Sequence, residues 1–230
     1  MELIVDGITK IYKSKQGIRN ISFIIESGQC LALVGHNGAG KTTLLRVLST
    51  LLKPDSGNIL YNNNNVLQRD NVEYLTKIGY MPEDADLYKK LTVYENLSFF
   101  WSFYDNYEKE KILHYLNLFS LSPNKKYGQL SKGQKQKLVF LKSVLHNPEI
   151  LLLDEPFNFL DPSGRIMTKE ILSKMMAEGK IIIISSHNLS ELEGICNRMI
   201  ILKNGHIAFD SIKTNSIINF ESIYKQVMEK

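Results

Sequence analysis

Three stretches of this chain are apolar at every position: Cys30 to Val34, Ile150 to Leu153 and Ile181 to Ile184. A strand with one face in water alternates, so runs that are apolar on both faces predict strands inside a covered parallel sheet. Leu3 to Val5 and Ile18 to Ile25 read as further strands, and the turn Glu26-Ser27-Gly28-Gln29 joins the second of them to the first buried run. Lys53 to Gly57 reads as a turn, Asn58 to Tyr61 as a strand, Asn62 to Asn65 as a surface loop, and Ile78 to Glu83 as a short strand that Pro82 ends.

From Asp84 to His146 the period becomes helical. Thr92-x-x-Glu95 is a capping box, and Leu97, Phe100, Trp101 and Tyr104 follow it at helical spacing. Ile112, Tyr115, Leu116 and Phe119 repeat that spacing, so two helices are expected to pack on each other; some of the aromatics serve either that packing or a partner. Leu138, Leu141 and Leu145 predict a third helix, and Ile166 to Ala177 a fourth. Met199 to Lys203 and His206 to Phe209 form a predicted hairpin around Asn204-Gly205, and Phe220, Ile223, Tyr224 and Val227 mark a closing amphipathic helix. Strands interleaved with helices predict an α/β fold. The expected organisation is a single domain over 1–230, with a core of about 1–83 and 147–210, a helical insert of about 84–146 and a C-terminal helix of about 216–230.

Composition narrows the classes. A hydrophobic share of 43% and a charged share of 23% suit a globular protein, and a net charge of +4 is too small to argue for a nucleic-acid partner. Cys30 and Cys196 stand far apart with no Cys/His cluster, which suggests neither a disulfide framework nor a zinc site. The start, Met1-Glu2-Leu3-Ile4-Val5-Asp6, lacks the basic region of a secretory signal. No run approaches the ~18 apolar residues of a spanning helix. The expected setting is cytoplasmic, and any membrane role requires a partner.

The chemistry begins where the first buried strand ends. Gly35-His36-Asn37-Gly38-Ala39-Gly40-Lys41-Thr42 fits G-x-x-x-x-G-K-[ST] and runs into Thr43 and a helix through Leu48. Glycines let successive N–H groups turn onto phosphates at a helix start, the lysine reaches the outer phosphate oxygens, and the threonine hydroxyl suits Mg²⁺. Asp154 and Glu155 end a central strand. Ligands sit at that end of open α/β sheets, and two acids beside a polyphosphate call for a cation such as Mg²⁺. His187 ends another such strand. Tyr12 is either a half-buried strand tyrosine or a platform for a base. Lys132, Lys135 and Lys137 crowd a helix start, where the macrodipole opposes them, and this hints at an anion or acidic surface nearby.

In this order the motifs resemble, over essentially the whole chain, the nucleotide-binding subunit of an ABC transporter. Leu130-Ser131-Lys132-Gly133-Gln134 is similar to the family signature LSGGQ, with lysine for its first glycine. The resemblance implies a P-loop NTPase (RecA-like) core with a mostly parallel sheet, an N-terminal antiparallel β subdomain and the helical insert. It implies ATP and Mg²⁺ as cofactors, Tyr12 as the adenine-stacking aromatic, Asp154 as the magnesium aspartate, Glu155 as the catalytic glutamate and His187 as the switch histidine. It also implies a head-to-tail second subunit, whose γ-phosphate site Ser131, Gly133 and Gln134 would close, and an integral membrane transporter subunit, placing the chain on the inner face of the cell membrane. Glu83 stands where the family usually has a glutamine that links nucleotide to the membrane subunit, as in some export-type members, and Phe159 stands where glycine is common. A soluble ABC ATPase, for example of the iron–sulfur assembly type, is the alternative. A nucleotide kinase or GTPase sharing only the phosphate loop lacks support, since no guanine motif is present.

Overall fold

The computed structural model describes residues 1–68, 71–211 and 219–229. Strands β1 (Glu2–Ile11) and β2 (Gly17–Glu26) pair antiparallel, and β3 (Cys30–Val34) runs into the loop that opens α1 (Lys41–Leu48). Next come β4 (Ser56–Tyr61), the two-residue β5 (Asn64–Asn65), α2 (Val72–Lys77) and β6 (Ile78–Met81). Helices α3 (Val93–Trp101), α4 (Lys109–Leu118) and α5 (Lys132–Val144) precede β7 (Ile150–Asp154). The chain continues through α6 (Pro162–Ala177), β8 (Ile181–Ser185), α7 (Leu189–Leu192), β9 (Arg198–Lys203), β10 (His206–Asp210) and α8 (Phe220–Met228). The predicted span 216–218 of the last helix, and residue 230, lie outside the described residues. No helix among the described residues is long and apolar enough to cross a membrane.

Two sheets result. The smaller is antiparallel, in the order β2-β1-β4-β5; the larger has the order β10-β9-β3-β8-β7-β6, parallel from β9 to β6, with β10 antiparallel at its edge. The all-apolar runs occupy β3, β7 and β8 at its centre, and alternate residues feed two cores. Ala32, Leu151, Leu153, Ile182 and Ile184 pack toward α3, α5 and α6. Leu31, Leu33, Ile150, Leu152, Ile181 and Ile183 pack toward α1 and the antiparallel sheet. Burial on both faces is the reason these strands do not alternate. The ladder aligns Leu33 and Asp154 with Ser185, and Met81 with Leu153, so all the strand ends that carry polar residues emerge on one edge.

The capping box predicted at Thr92 forms with Glu95 on α3, and a second, Ser131 with Gln134, caps α5. Several expectations change. Asn64 and Asn65 pair with Leu60 and Tyr61 in a short hairpin, so the asparagine tract is not simply a loop. Helices α2 and α7 carried no stripe in the sequence, because fewer than two turns cannot show one; α2 buries only Tyr74. Helix α6 begins at Pro162, ahead of its apolar stripe, because Asp161 accepts a hydrogen bond from the Gly164 N–H and Pro162 suits the first turn. The predicted stripe outruns α3, which ends at Trp101: Leu97 and Trp101 are buried, Phe100 is half-buried, and Tyr104 lies in the bend beyond the helix, all four lining one open groove.

His146, just beyond α5, shares that region. Its Nε2 lies 2.9 Å from the Ile78 carbonyl, so this nitrogen carries the proton, and its ring stacks on Tyr104 with centroids 4.1 Å apart. Burial, with Lys142 and Lys111 nearby, pushes its pKa down to about 4. A lowered histidine contributes stability above the ordinary value near 6.5 and loses it as pH falls toward 4. Urea unfolding between pH 7 and pH 4 is expected to show about 3 kcal/mol of loss from this group, absent in His146→Gln. Equal pH slopes in parent and variant would remove His146 as the cause.

Candidate active site

At the polar edge of the larger sheet a cleft of about 520 Å³ is lined by Tyr12, Asn37, Gly38, Ala39, Gly40, Lys41, Thr42, Thr43, Glu83, Asp154, Glu155 and His187. That volume is in the range of small-ligand sites. Gln16 of the β1–β2 turn and Gly17 at the start of β2 complete the lining; the sequence did not single them out, and they arrive there because the Gln16 carbonyl accepts from the Tyr12 N–H and Gly17 pairs with Ile11. Tyr12 is 37% exposed, stands one residue beyond the end of β1 and lines the cleft.

The loop conformation explains its sequence. Gly40 has φ of 110°, and a Cβ there would lie 2.5 Å from Ile18 Cγ2, so only glycine admits the turn into α1. Lys41 is buried, and its Nζ donates to the Gly35 carbonyl at 2.8 Å and to the His36 carbonyl at 3.4 Å. Burial lowers its pKa, while the charges of Glu155, Asp154 and Glu83 oppose that shift. A cation thus held by the loop's own carbonyls stands ready for an anion. His36 turns its Nδ1 to the neighbouring Asn37 carbonyl, so it shapes the loop and does not line the cleft.

Asp154 is buried. The Ser185 hydroxyl donates to its Oδ1, while Oδ2 has no hydrogen-bond partner. An orphaned carboxylate oxygen at a cleft edge shared with Thr42 fits a hard cation. Among the described residues no group of three or more His, Cys, Asp or Glu side chains stands together as a metal cage. Magnesium does not need one, since phosphates and water supply most of its ligands.

Glu155 adopts φ of 52°, a strained value for a glutamate and one that recurs at functional positions. Three contacts hold it there. Its N–H donates to the carbonyl and hydroxyl of Ser185, both at 3.1 Å, and its carbonyl accepts from Gln136 Nε2 at 3.1 Å. Its Oε2 lies 2.9 Å from His187 Nδ1, which therefore carries the proton. Burial raises the Glu155 pKa, Glu83 adds to this, and His187 and Lys41 oppose it. Ser185 and Gln136 were not recognised as site residues in the sequence. Ser185 had a signal, as the first polar residue closing an all-apolar strand, whereas Gln136 reaches Glu155 only through folding.

Ser131, Gly133 and Gln134 are elsewhere. They line a second cleft with Phe119, Ser120, Lys137, Phe159 and Asp161, and the two clefts share no residue. Gln134 and Ser131 are engaged in the reciprocal cap of α5. A Cβ on Gly133 would lie 2.5 Å from the Phe159 carbonyl, so glycine here admits the close passage of that loop. The crowded lysines also acquire a local reason. Lys137 pairs with Asp161 at 2.8 Å, Lys135 lies 5.1 Å over the Tyr127 ring and Lys132 lies 5.2 Å over the Phe159 ring. An external anion is thus not required to explain them. Cys30 and Cys196, separated by 166 positions, bring their sulfurs within 3.3 Å as free thiols.

Comparison with known proteins agrees with this geometry. The family model described as ABC transporter matches residues 18–158. An uncharacterised ABC transporter ATP-binding protein of Methanocaldococcus jannaschii is 38% identical over 208 residues, 87% of this chain and 74% of that protein. The Nod factor export ATP-binding protein I of Rhizobium meliloti is 33% identical over 207 residues, 88% of this chain and 62% of that protein. A dimeric ATP-binding cassette in a post-hydrolysis state, bound to ADP and Pi, superposes with a TM-score of 0.83 at 25% identity, covering 93% of this chain and 99% of that one. This chain therefore belongs to the ABC transporter family, as an ATP-binding and ATP-hydrolysing cassette.

Proposed function

We propose that this cassette powers substrate export by a separate membrane-spanning subunit, and that it works as one member of a head-to-tail pair of cassettes. The observation that carries the pairing is the division of its own machinery: Ser131 and Gly133 lie in a cleft that shares no residue with the cleft of Lys41, Asp154 and Glu155. A signature edge without a nucleotide of its own is complementary to that of a second cassette. The dimeric relative and the relative named for export support the reading, as does Glu83 at the cleft wall.

In this reading the chain acts as a single unit in which the insert of about 84–146 carries both the signature and the docking face. Tyr12 stacks on adenine. The N–H groups of 35–43 and Lys41 hold the phosphates, and Glu83 contacts the nucleotide from the cleft wall. Thr42 and Asp154 would hold Mg²⁺, which when bound neutralises phosphate charge. Glu155 accepts a proton from the attacking water, and His187 fixes the carboxylate that does so. Removing the stack by Tyr12→Ala is expected to weaken ATP binding by about 1–2 kcal/mol in calorimetry; unchanged affinity would eliminate the stacking role.

The membrane face in this reading is supported by a groove of about 380 Å³ whose wall includes Leu97, Phe100, Trp101, Phe103 and Tyr104, with Phe103 69% exposed. Exposed aromatics gathered in a groove suit a short partner helix. Cysteines at Asp86 and Phe99, in a background lacking Cys30 and Cys196, are expected to cross-link to an integral membrane protein in native membranes, with a yield that changes with ATP. Capture of cytosolic proteins alone would favour the soluble ABC ATPase instead.

A further inference from the structure

The groove contains a charge that the chain leaves unanswered. Its wall is mostly aromatic and aliphatic, with the neutral side chains of Ser49, Ser143 and His146 among it, and α5 sends Lys142 into it, with the ammonium 5.1 Å over the Phe100 ring. The side chain is half-buried and, among the described residues, pairs with no carboxylate. Burial alone moves its pKa, downward, with no carboxylate acting on it. Lys137, one turn and more earlier on the same helix, has Asp161 at 2.8 Å. The other titratable groups near the groove do not help: Lys111 lies 5.2 Å over the Trp101 ring, and both lysines act on His146, which burial keeps neutral.

An occupant that covers the groove would finish burying Lys142. A buried ammonium without a counter-charge is strongly disfavoured, so a wholly apolar helix face would be a poor fit. One lysine on an aromatic wall offers a single point charge and lacks the several converging donors that a phosphate takes. A single carboxylate satisfies it.

Resting on the docking reading above, we infer that the membrane subunit seats in this groove a short helix whose apolar face carries one Asp or Glu, and that Lys142 binds that carboxylate. The lysine then selects its partner as well as holding it, because a helix with a neutral or basic residue at that point leaves the ammonium buried and unpaired.

The test uses the full chain recovered from native membranes in mild detergent, as parent, Lys142→Arg, Lys142→Met and Lys142→Glu. Lys142→Met keeps the apolar stem and loses the charge, and thermal melting of each variant reports its fold. Retention of the multi-spanning protein is expected to survive in Lys142→Arg, to drop at least tenfold in Lys142→Met and to vanish in Lys142→Glu. A carbodiimide, which joins an amine to a carboxylate as an amide while taking up the water as a urea, is expected to link Lys142 to an Asp or Glu of that protein, located by mass spectrometry. Folded Lys142→Met that retains the partner within twofold overturns the inference, as does carbodiimide linkage confined to other lysines. If the cysteines at Asp86 and Phe99 still cross-link the membrane protein in that case, the docking reading stands and the role of Lys142 falls. If the parent retains no membrane protein and the cysteines capture none, the docking reading falls and this inference with it.

Discussion

Glu155→Gln is expected to slow ATP hydrolysis by about 10²–10⁴-fold, the usual contribution of a general base, while ATP still binds. Glutamine keeps the shape, and its amide oxygen can still accept from His187 Nδ1, which lies 2.9 Å from Glu155 Oε2. The backbone contacts to Ser185 and Gln136 do not involve the side chain and persist. What disappears is the carboxylate's capacity to take a proton. With hydrolysis blocked, the ATP-bound pair of cassettes should accumulate, and size-exclusion chromatography with ATP and Mg²⁺ should show a dimer. The pH profile gives an independent check. Burial raises the Glu155 pKa, so its proton-accepting form is lost, as pH falls, at a higher pH than for an ordinary glutamate. Hydrolysis by the parent should therefore decline on the acid side at a pH above the usual carboxylate range. A variant that hydrolyses at the parent rate would exclude Glu155 as the base.

Lys41→Ala is expected to reduce hydrolysis by about 10³-fold, the scale of losing a preorganised charge at the reacting phosphate, and to weaken ATP binding as well. Lys41 is buried, and Glu155, Asp154 and Glu83 all act on its charge. Alanine would leave these acids facing a polyphosphate with their main protein cation gone. The Gly35 and His36 carbonyls, which now accept from Nζ, would also point at the anion. Turnover assays and calorimetry separate the two losses. Parent-like turnover in a folded Lys41→Ala would show that the phosphates are held elsewhere. Such a result would count against the cleft as the nucleotide site.

Much of this site was legible because its residues are close in sequence or close a recognisable strand. The phosphate loop is continuous from Gly35 to Thr42, and its surroundings, a buried strand before and a helix after, follow from local hydrophobic period. Asp154 and His187 stand at or just past the ends of all-apolar strands, where a parallel sheet gathers ligands. The capping box of Thr92 and Glu95 is local as well. The sequence by itself thus determined the α/β class, the central strands and the main helices, and it named most of the residues that line the cleft at the sheet's polar edge.

Tertiary structure decided what depends on register and approach between distant segments. The ladder that sets Asp154 beside Ser185 lets one hydroxyl serve both Asp154 and the Glu155 N–H. Packing of α5 against the sheet brings Gln136 to the Glu155 carbonyl, Lys137 to Asp161 and Lys142 to the aromatic groove. Lys132, Lys135 and Lys137, which crowd one helix start in the sequence, differ once folded, because a helix turns its residues about 100° apiece and presents each to a different neighbour. Cys30 and Cys196 meet only because β3 and the segment after α7 adjoin across the sheet. Period along the chain records which side of an element is buried; it carries no record of which distant side chain lies opposite, and that pairing is set only when the elements pack.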